Sequence, residues 1–145
     1  MALQARVDAP GDFDFIIGEW EVFHRRLAAR LSGCTEWTEF KGRTSTSKIL
    51  GGHGNLEDNL LYLPEGEVRA VALRSFDESS GTWSIWWLDA RKPMELDTPV
   101  RGGFDNGIGT FYAESELNGQ PVRVRFKWIT PQAGARFPVW EQAFS

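Results

Sequence analysis

The sequence predicts one all-β domain, an antiparallel up-and-down sheet of about nine strands curled into a barrel. Three observations carry that prediction. First, Gln120–Ile129 alternates cleanly, with Val122, Val124, Phe126 and Trp128 on one face and Arg123, Arg125 and Lys127 on the other. A two-residue period of this kind marks a strand with one face buried and one in water. Second, Asn106-Gly107 and Asn118-Gly119 each lie between extended runs, the strongest short-range signal for tight hairpins. Third, the chain carries seven Trp and ten Phe, bulky aromatics that suit a pleated, half-buried surface.

The elements follow in order. Met1–Pro10 reads as a loose arm, and the domain proper is set at 13–145 after an arm of 1–12. Phe13, Phe15, Ile16 and Ile17 form an apolar cluster too short for an amphipathic helix, suited to a turn that plugs one end of the fold. From Trp20 the period becomes two: Trp20, Val22, His24 and Arg26 share one parity, and Leu27–Leu31 reads either as strand or as a helical turn. A second extended run spans Glu36–Leu50, with Trp37, Thr44, Thr46 and Lys48. Gly51-Gly52-His53-Gly54 breaks it, and a shorter strand covers Leu56–Leu63. Pro64-Glu65-Gly66 is a turn, because Pro presets φ and Gly accepts a positive one. Val68–Phe76, Thr82–Leu88, Val100–Phe104, Ile108–Leu117, Gln120–Ile129 and Phe137–Phe144 complete the strands.

The totals exclude several classes. At 145 residues, 41% hydrophobic and 25% charged, the chain can bury a core without disulfide or metal staples. Its formal charge is −4, and the densest basic cluster is the brief His24-Arg25-Arg26. Nucleic acid is therefore not expected as a partner, since phosphate binding needs clustered Lys and Arg. Cys34 is alone, so no intrachain disulfide forms. No apolar leader follows Met1 and no run nears membrane-spanning length, so the expected location is cytoplasmic, with no membrane partner.

Gly18-Glu19-Trp20, at the entry to the first strand, resembles the Gly-x-Trp signature of lipocalins and the wider calycin barrels. In calycins the matching Trp, here Trp20, closes the barrel floor. A longer likeness covers Phe13-Asp14-Phe15-Ile16-Ile17-Gly18-Glu19-Trp20, Phe76-Asp77 with Gly81-Thr82-Trp83-Ser84-Ile85-Trp86-Trp87, and Trp140-Glu141-Gln142-Ala143-Phe144-Ser145. These stretches resemble a family of uncharacterised bacterial proteins, a domain of unknown function assigned calycin-like barrels. The resemblance runs over nearly the whole chain; it implies the fold and supplies no activity or catalytic residue. Members of that family continue past the Trp-Glu-Gln-Ala-Phe-Ser stretch, whereas this sequence stops at Ser145. If the closing strand is absent, the barrel is expected to be gapped, with a bare strand edge that invites pairing with a second chain.

Candidate site residues come from parity and composition. His24 and Arg26 share parity with Trp20; if that face is inward, a buried Arg needs an anionic or hydrogen-bonding partner, which a ligand carboxylate would supply. The alternative is that both reach solvent or pair with acidic neighbours. Trp83, Trp87, Phe111, Tyr112, Trp128 and Trp140 either line an apolar pocket or fill a solid core. Trp86 and Trp87 are adjacent, so one of them faces outward. Arg74 has Ala70 and Ala72 on its parity, small neighbours that leave room; it is a polar anchor or one half of a cross-strand ion pair. Gln142, between Trp140 and Phe144, is a ligand-facing or a core amide.

Catalytic signals are sparse. Gly-x-Ser-x-Gly is absent, and Gly51-Gly52-His53-Gly54 lacks the following helix of a phosphate loop. His24 and His53 have no metal-ligand spacing, so neither a metal nor a cofactor is expected. The leading expectation is a barrel binding a small, partly apolar ligand through Trp20, His24, Arg26, Arg74, Trp87, Tyr112, Trp128, Trp140 and Gln142. An isomerase or hydrolase with a site at the barrel mouth is the second reading. A structural protein that forms a homodimer through a sheet edge or the outward Trp is the third.

Overall fold

A computed structural model describes residues 9–27, 37–117, 119–129 and 141–144. The plug, Ala9–Ile16, is a 3-10 helix, followed by β1 (Gly18–Leu27), β2 (Trp37–Ile49), β3 (Gly54–Leu63), β4 (Gly66–Asp77), β5 (Thr82–Asp89), β6 (Val100–Asp105), β7 (Ile108–Leu117), β8 (Gln120–Ile129) and a short segment β9 (Glu141–Phe144). Every neighbouring pair is antiparallel and the sheet runs in strict sequence order. This is the meander that close-spaced hairpin turns dictate. Leu27 still belongs to β1, while the rest of Leu27–Leu31, together with Cys34 and Trp140, lies outside the described residues.

The hairpins set the register. Asp105 faces Ile108 across a two-residue turn in which Asn106 has φ 51° and Gly107 φ 78°. Two successive positive φ values match the right-handed strand twist, and Asn-Gly is the pair that tolerates them. Leu63 faces Gly66 across Pro64-Glu65, and that turn fixes which residues of β3 and β4 oppose one another.

The sheet is strongly curled. Arg74 on β4 places its guanidinium carbon 4.9 Å from the Trp128 ring on β8. Those strands are four apart, so a flat sheet would separate them by about 19 Å at about 4.8 Å per strand. Only a concave wall brings the two side chains together. β5 and β6 share just three register pairs, and Gly102 of β6 sits against β7. A side chain there would run into the Thr110 carbonyl oxygen, so the close approach requires glycine.

Among the described residues no pairing joins β1 to β8 or β9. The architecture is thus an all-β half-barrel, where the sequence suggests a barrel. The plug explains how the concavity is filled without the edges meeting. Phe13 enters between the walls, with ring centroids 5.0 Å from Trp83, 4.8 Å from Phe104, 5.9 Å from Phe111 and 5.5 Å from Trp128. Phe13, Ile16, Phe76, Trp83, Val100, Phe111 and Trp128 form one buried cluster, flanked by Phe15, Ile85, Phe104, Val124 and Phe126. Phe13 meets Trp83, Phe104 and Trp128 edge to face, which suits the aromatic quadrupoles.

Two carboxylates of the plug bond to the sheet. The Trp83 indole donates to Asp12 Oδ2 at 3.1 Å, and Lys48 pairs with Asp14 at 2.9 Å. Burial lifts the Asp12 carboxyl above its ordinary pKa; the Trp83 hydrogen bond opposes that lift and nearby Asp14 adds to it. A carboxyl raised on folding favours the folded state below its unfolded pKa, and this advantage fades as pH rises through the folded value. Asp12→Asn keeps an oxygen for Trp83 and removes the charge. The variant is expected to unfold at higher denaturant than the parent at neutral pH, with the difference shrinking in acid; urea titrations across that range check it. Phe13→Ala is expected to cost about 3–5 kcal/mol in the same assay, as for other buried Phe truncations.

Candidate functional site

Opposed residues on neighbouring strands share a face, so the register sorts the inner surface into rows. One row is Gly18, Thr46, Glu57, Ala72 and Trp87; the next is Trp20, Thr44, Asn59, Ala70 and Asp89; a third is Lys48, Asn55, Arg74 and Ile85. Together with the plug cluster, these rows divide the interior in two. Around Phe13 it is aromatic and packed. Across β2, β3 and β4 it is polar: Thr44, Thr46, Asn55, Glu57, Asn59 and Arg74 are all buried.

Arg74 anchors the polar block. It is 1% exposed and Glu57 is 4% exposed. Its Nη1 donates to Asn55 Oδ1 at 2.8 Å and its Nη2 to Glu57 Oε1 at 2.9 Å. Asn55 lies directly opposite Arg74, and Glu57 one step along the diagonal, opposite Ala72. Ala70 and Ala72, 2% and 3% exposed, leave the guanidinium space to lie along the wall. Above it, the Phe13 and Trp128 rings stand 5.1 and 4.9 Å from the guanidinium carbon, within range for attraction between a cation and an aromatic face. Of the two readings of Arg74, the structure has the cross-strand ion pair, and that pair is buried inside the fold.

The pairing is incomplete. Arg74 Nε and the hydroxyls of Thr44 and Thr46 are buried and have no hydrogen-bond partner among the described residues. Each such group costs about 1–3 kcal/mol relative to a satisfied one. All three belong to the polar block, on adjacent rows of the inner surface.

The same rows run out to a mouth. Trp87 and Asp89 lie across Ala72 and Ala70 from Glu57 and Asn59, and with Arg91, Lys92 and Asp97 they line an open groove of about 430 Å3. Its rim is fixed. Arg91 grips Asp89 through Nε–Oδ1 at 3.0 Å and Nη2–Oδ2 at 2.7 Å, and the Asp97 amide donates to the Trp87 carbonyl at 3.1 Å. The Arg91 hydrogen bonds hold the Asp89 carboxyl below its ordinary pKa.

The residues singled out from sequence are distributed unevenly. Trp20 is half-buried on the inner face, its indole donating to the Ile16 carbonyl at 3.1 Å, so it ties β1 to the plug. His24 is half-buried and stacks on Phe40 at 4.7 Å; its ring lies over Gly42, where a Cβ would meet the imidazole at 2.9 Å. Trp87 is inward and Trp86, opposite Leu73, is outward. Trp128 is inward but packed into the aromatic cluster, 1% exposed.

Tyr112 is displaced from the interior. It opposes Arg101 and Arg125, is 39% exposed and carries Arg123 over its ring at 4.2 Å. Its neighbour Phe111 takes the inner face, and adjacent strand residues cannot both do so. Arg26 opposes Thr38 and Gln142 opposes Trp128 in register, while Trp140 falls outside the described residues. His53 belongs to the Gly-rich turn, where it pairs with Glu78 at 2.7 Å. Among the described residues no group of three or more His, Cys, Asp or Glu converges as a metal site would require, and no helix is long and apolar enough to cross a membrane.

Asn55, Glu57, Asn59, Thr44 and Thr46 are the residues that sequence reasoning missed. The available signal was the turn at Pro64-Glu65. Counting back from it places Asn55 opposite Arg74 and Glu57 beside it.

No protein-family model matches the chain, and no curated protein matches it significantly.

If the two hydroxyls serve something other than packing, removing them should stabilise the protein. Thr44→Val and Thr46→Val are each expected to raise stability by about 1 kcal/mol, since each deletes a buried unpartnered group at nearly constant shape. By contrast, Arg74→Met or Glu57→Leu alone is expected to cost about 3–5 kcal/mol, and the double variant markedly less than their sum. A double-mutant cycle by urea denaturation measures both.

Proposed function

We propose that this chain is a calycin-like barrel protein that binds a small, partly apolar molecule on its inner face, between the polar block and the groove at Trp87. The observation that carries this reading is the polar block itself. Fold stability favours apolar side chains or fully paired polar ones at buried positions. Here Arg74 Nε and the Thr44 and Thr46 hydroxyls are buried without a hydrogen-bond partner among the described residues, beside two alanines whose register partners Trp87 and Asp89 line an open groove. A cost borne at one place in the interior is characteristic of a site built for a ligand rather than for packing.

The division of the interior supports the same reading. Small-molecule sites combine apolar walls with a few convergent polar groups. Trp20 and Trp87 stand at the two ends of the inner rows, and Arg74, Thr44 and Thr46 offer directional hydrogen bonds between them. The likeness of Gly18-Glu19-Trp20 to the calycin signature, together with the curled meander, supports a calycin-like fold.

Binding tests the proposal directly. Thermal-shift and native mass-spectrometry screens with small amphiphiles and aromatic amides should give ligands that raise the melting temperature of the parent. The Thr44→Val/Thr46→Val variant, more stable without ligand, should lose that shift. Ligands that shift parent and variant equally would place binding elsewhere, and a complete absence of ligands would remove the proposal.

A further inference from the structure

We infer that this chain pairs with a second copy of itself through β1, the two strands running antiparallel about a two-fold axis at Phe23. The inference is independent of the ligand-binding reading above. β1 stands at one end of the sheet order, and among the described residues β2 is its one strand neighbour. Its ten residues hold an unbroken register with β2. An edge of that length carries a row of backbone donors and acceptors, which proteins commonly blunt with Pro, Lys, a bulge or a very short strand. β1 contains neither Pro nor Lys, and no bulge interrupts it. β9, at the other end of the order, has four residues.

The charges that β1 does carry come in a self-complementary order. Glu21, Phe23 and Arg25 are exposed on the outer face, alternating with the half-buried Val22 and His24, and Phe23 is 70% exposed. Opposed residues of an antiparallel pair share a face, so a two-fold axis that continues the sheet sets odd-numbered residues against odd ones. With the axis at Phe23, Glu21 of each copy opposes Arg25 of the other, and the two Phe23 rings meet between those pairs. β2 extends the pattern, because Arg43 opposes Glu21 and Glu39 opposes Arg25. The row crossing both copies then reads Arg43, Glu21, Arg25, Glu39, and the sign of charge changes at every step. Opposite charges and paired aromatics are cross-strand neighbours that stabilise a sheet.

Neighbouring registers lack this match. An axis at Glu21 or at Arg25 sets that residue against its own copy, like charge on like. An axis at Val22 sets Glu21 against Phe23, and one at His24 sets Arg25 against Phe23. Arg25 is also already oriented on the outer face. Its guanidinium carbon lies 4.6 Å from the Trp37 ring, and its Nε is 3.9 Å from Glu39, beyond hydrogen-bond length. Both charged side chains of that contact are more than half exposed, so the guanidinium keeps donors for an incoming carboxylate.

Sedimentation of the full chain over a wide concentration range is expected to show a reversible monomer–dimer equilibrium. Glu21→Arg and Arg25→Glu each set like charges opposite one another twice, and each is expected to weaken the dimer at least about tenfold. Phe23→Glu, which sets two carboxylates together at the axis, is expected to weaken it by at least about the same factor. Mixing the Glu21→Arg and Arg25→Glu variants in equal amounts restores opposite charges in both pairs, and a heterodimer should form. A monomer at every concentration overturns the inference. So does a dimer that the charge reversals leave unchanged, or one that mixing fails to restore. All three positions are exposed, so the variants should keep the urea midpoint of the parent monomer. Should one not fold, hydrogen exchange of the parent decides: protection that grows with concentration must appear in β1, and its absence there overturns the pairing.

Discussion

The burial of Arg74 is the constraint around which the interior is arranged. A guanidinium cannot be dehydrated alone; its cost must be met by an opposite charge and by directed acceptors. Asn55 and Glu57 meet it from the neighbouring strand, and Phe13 and Trp128 meet it from the opposite wall. Those two sets of partners lie on β3, on the plug and on β8. They converge on one side chain only if the sheet curls as it does. The same residue therefore joins the packed aromatic end of the half-barrel to its polar middle.

The two halves of the interior have different physical tasks. Around Phe13, interlocking rings remove a large apolar area from water and supply much of the driving force for folding. Across β2 to β4, hydroxyls, amides and an ion pair occupy positions where apolar groups would stabilise more. Concentrating burial at one end lets the other end keep directional groups. The plug is central to that division, because it fills the concavity at the aromatic end and leaves the end near Trp87 open.

Much of the sheet was legible from local rules. The alternation of Val124, Phe126 and Trp128, the Asn106-Gly107 turn and the Phe13–Ile17 plug all depend on neighbours in sequence, and each took the expected place. The polar block was not legible because β3 inverts the usual pattern. Asn55, Glu57 and Asn59 face inward, while Leu56 is 38% exposed on the outer face. Hydropathy alone would turn that strand over. Its true facing follows from the register at Pro64-Glu65, which links Asn55 to Arg74, and so from an interaction between strands. Tyr112 shows the opposite lesson: aromatic composition suggested an interior place, and strict alternation beside Phe111 excluded it.

Nitrogen-detected NMR of the arginine side chains tests the central claim most directly. A buried, doubly anchored guanidinium should give one Nε–H resonance with solvent exchange slowed far below that of the exposed arginines and with rotation about Cζ restricted. That resonance should vanish in Arg74→Lys. If every arginine Nε–H instead exchanges as it would in open water, Arg74 is not enclosed, and the divided interior described here is wrong.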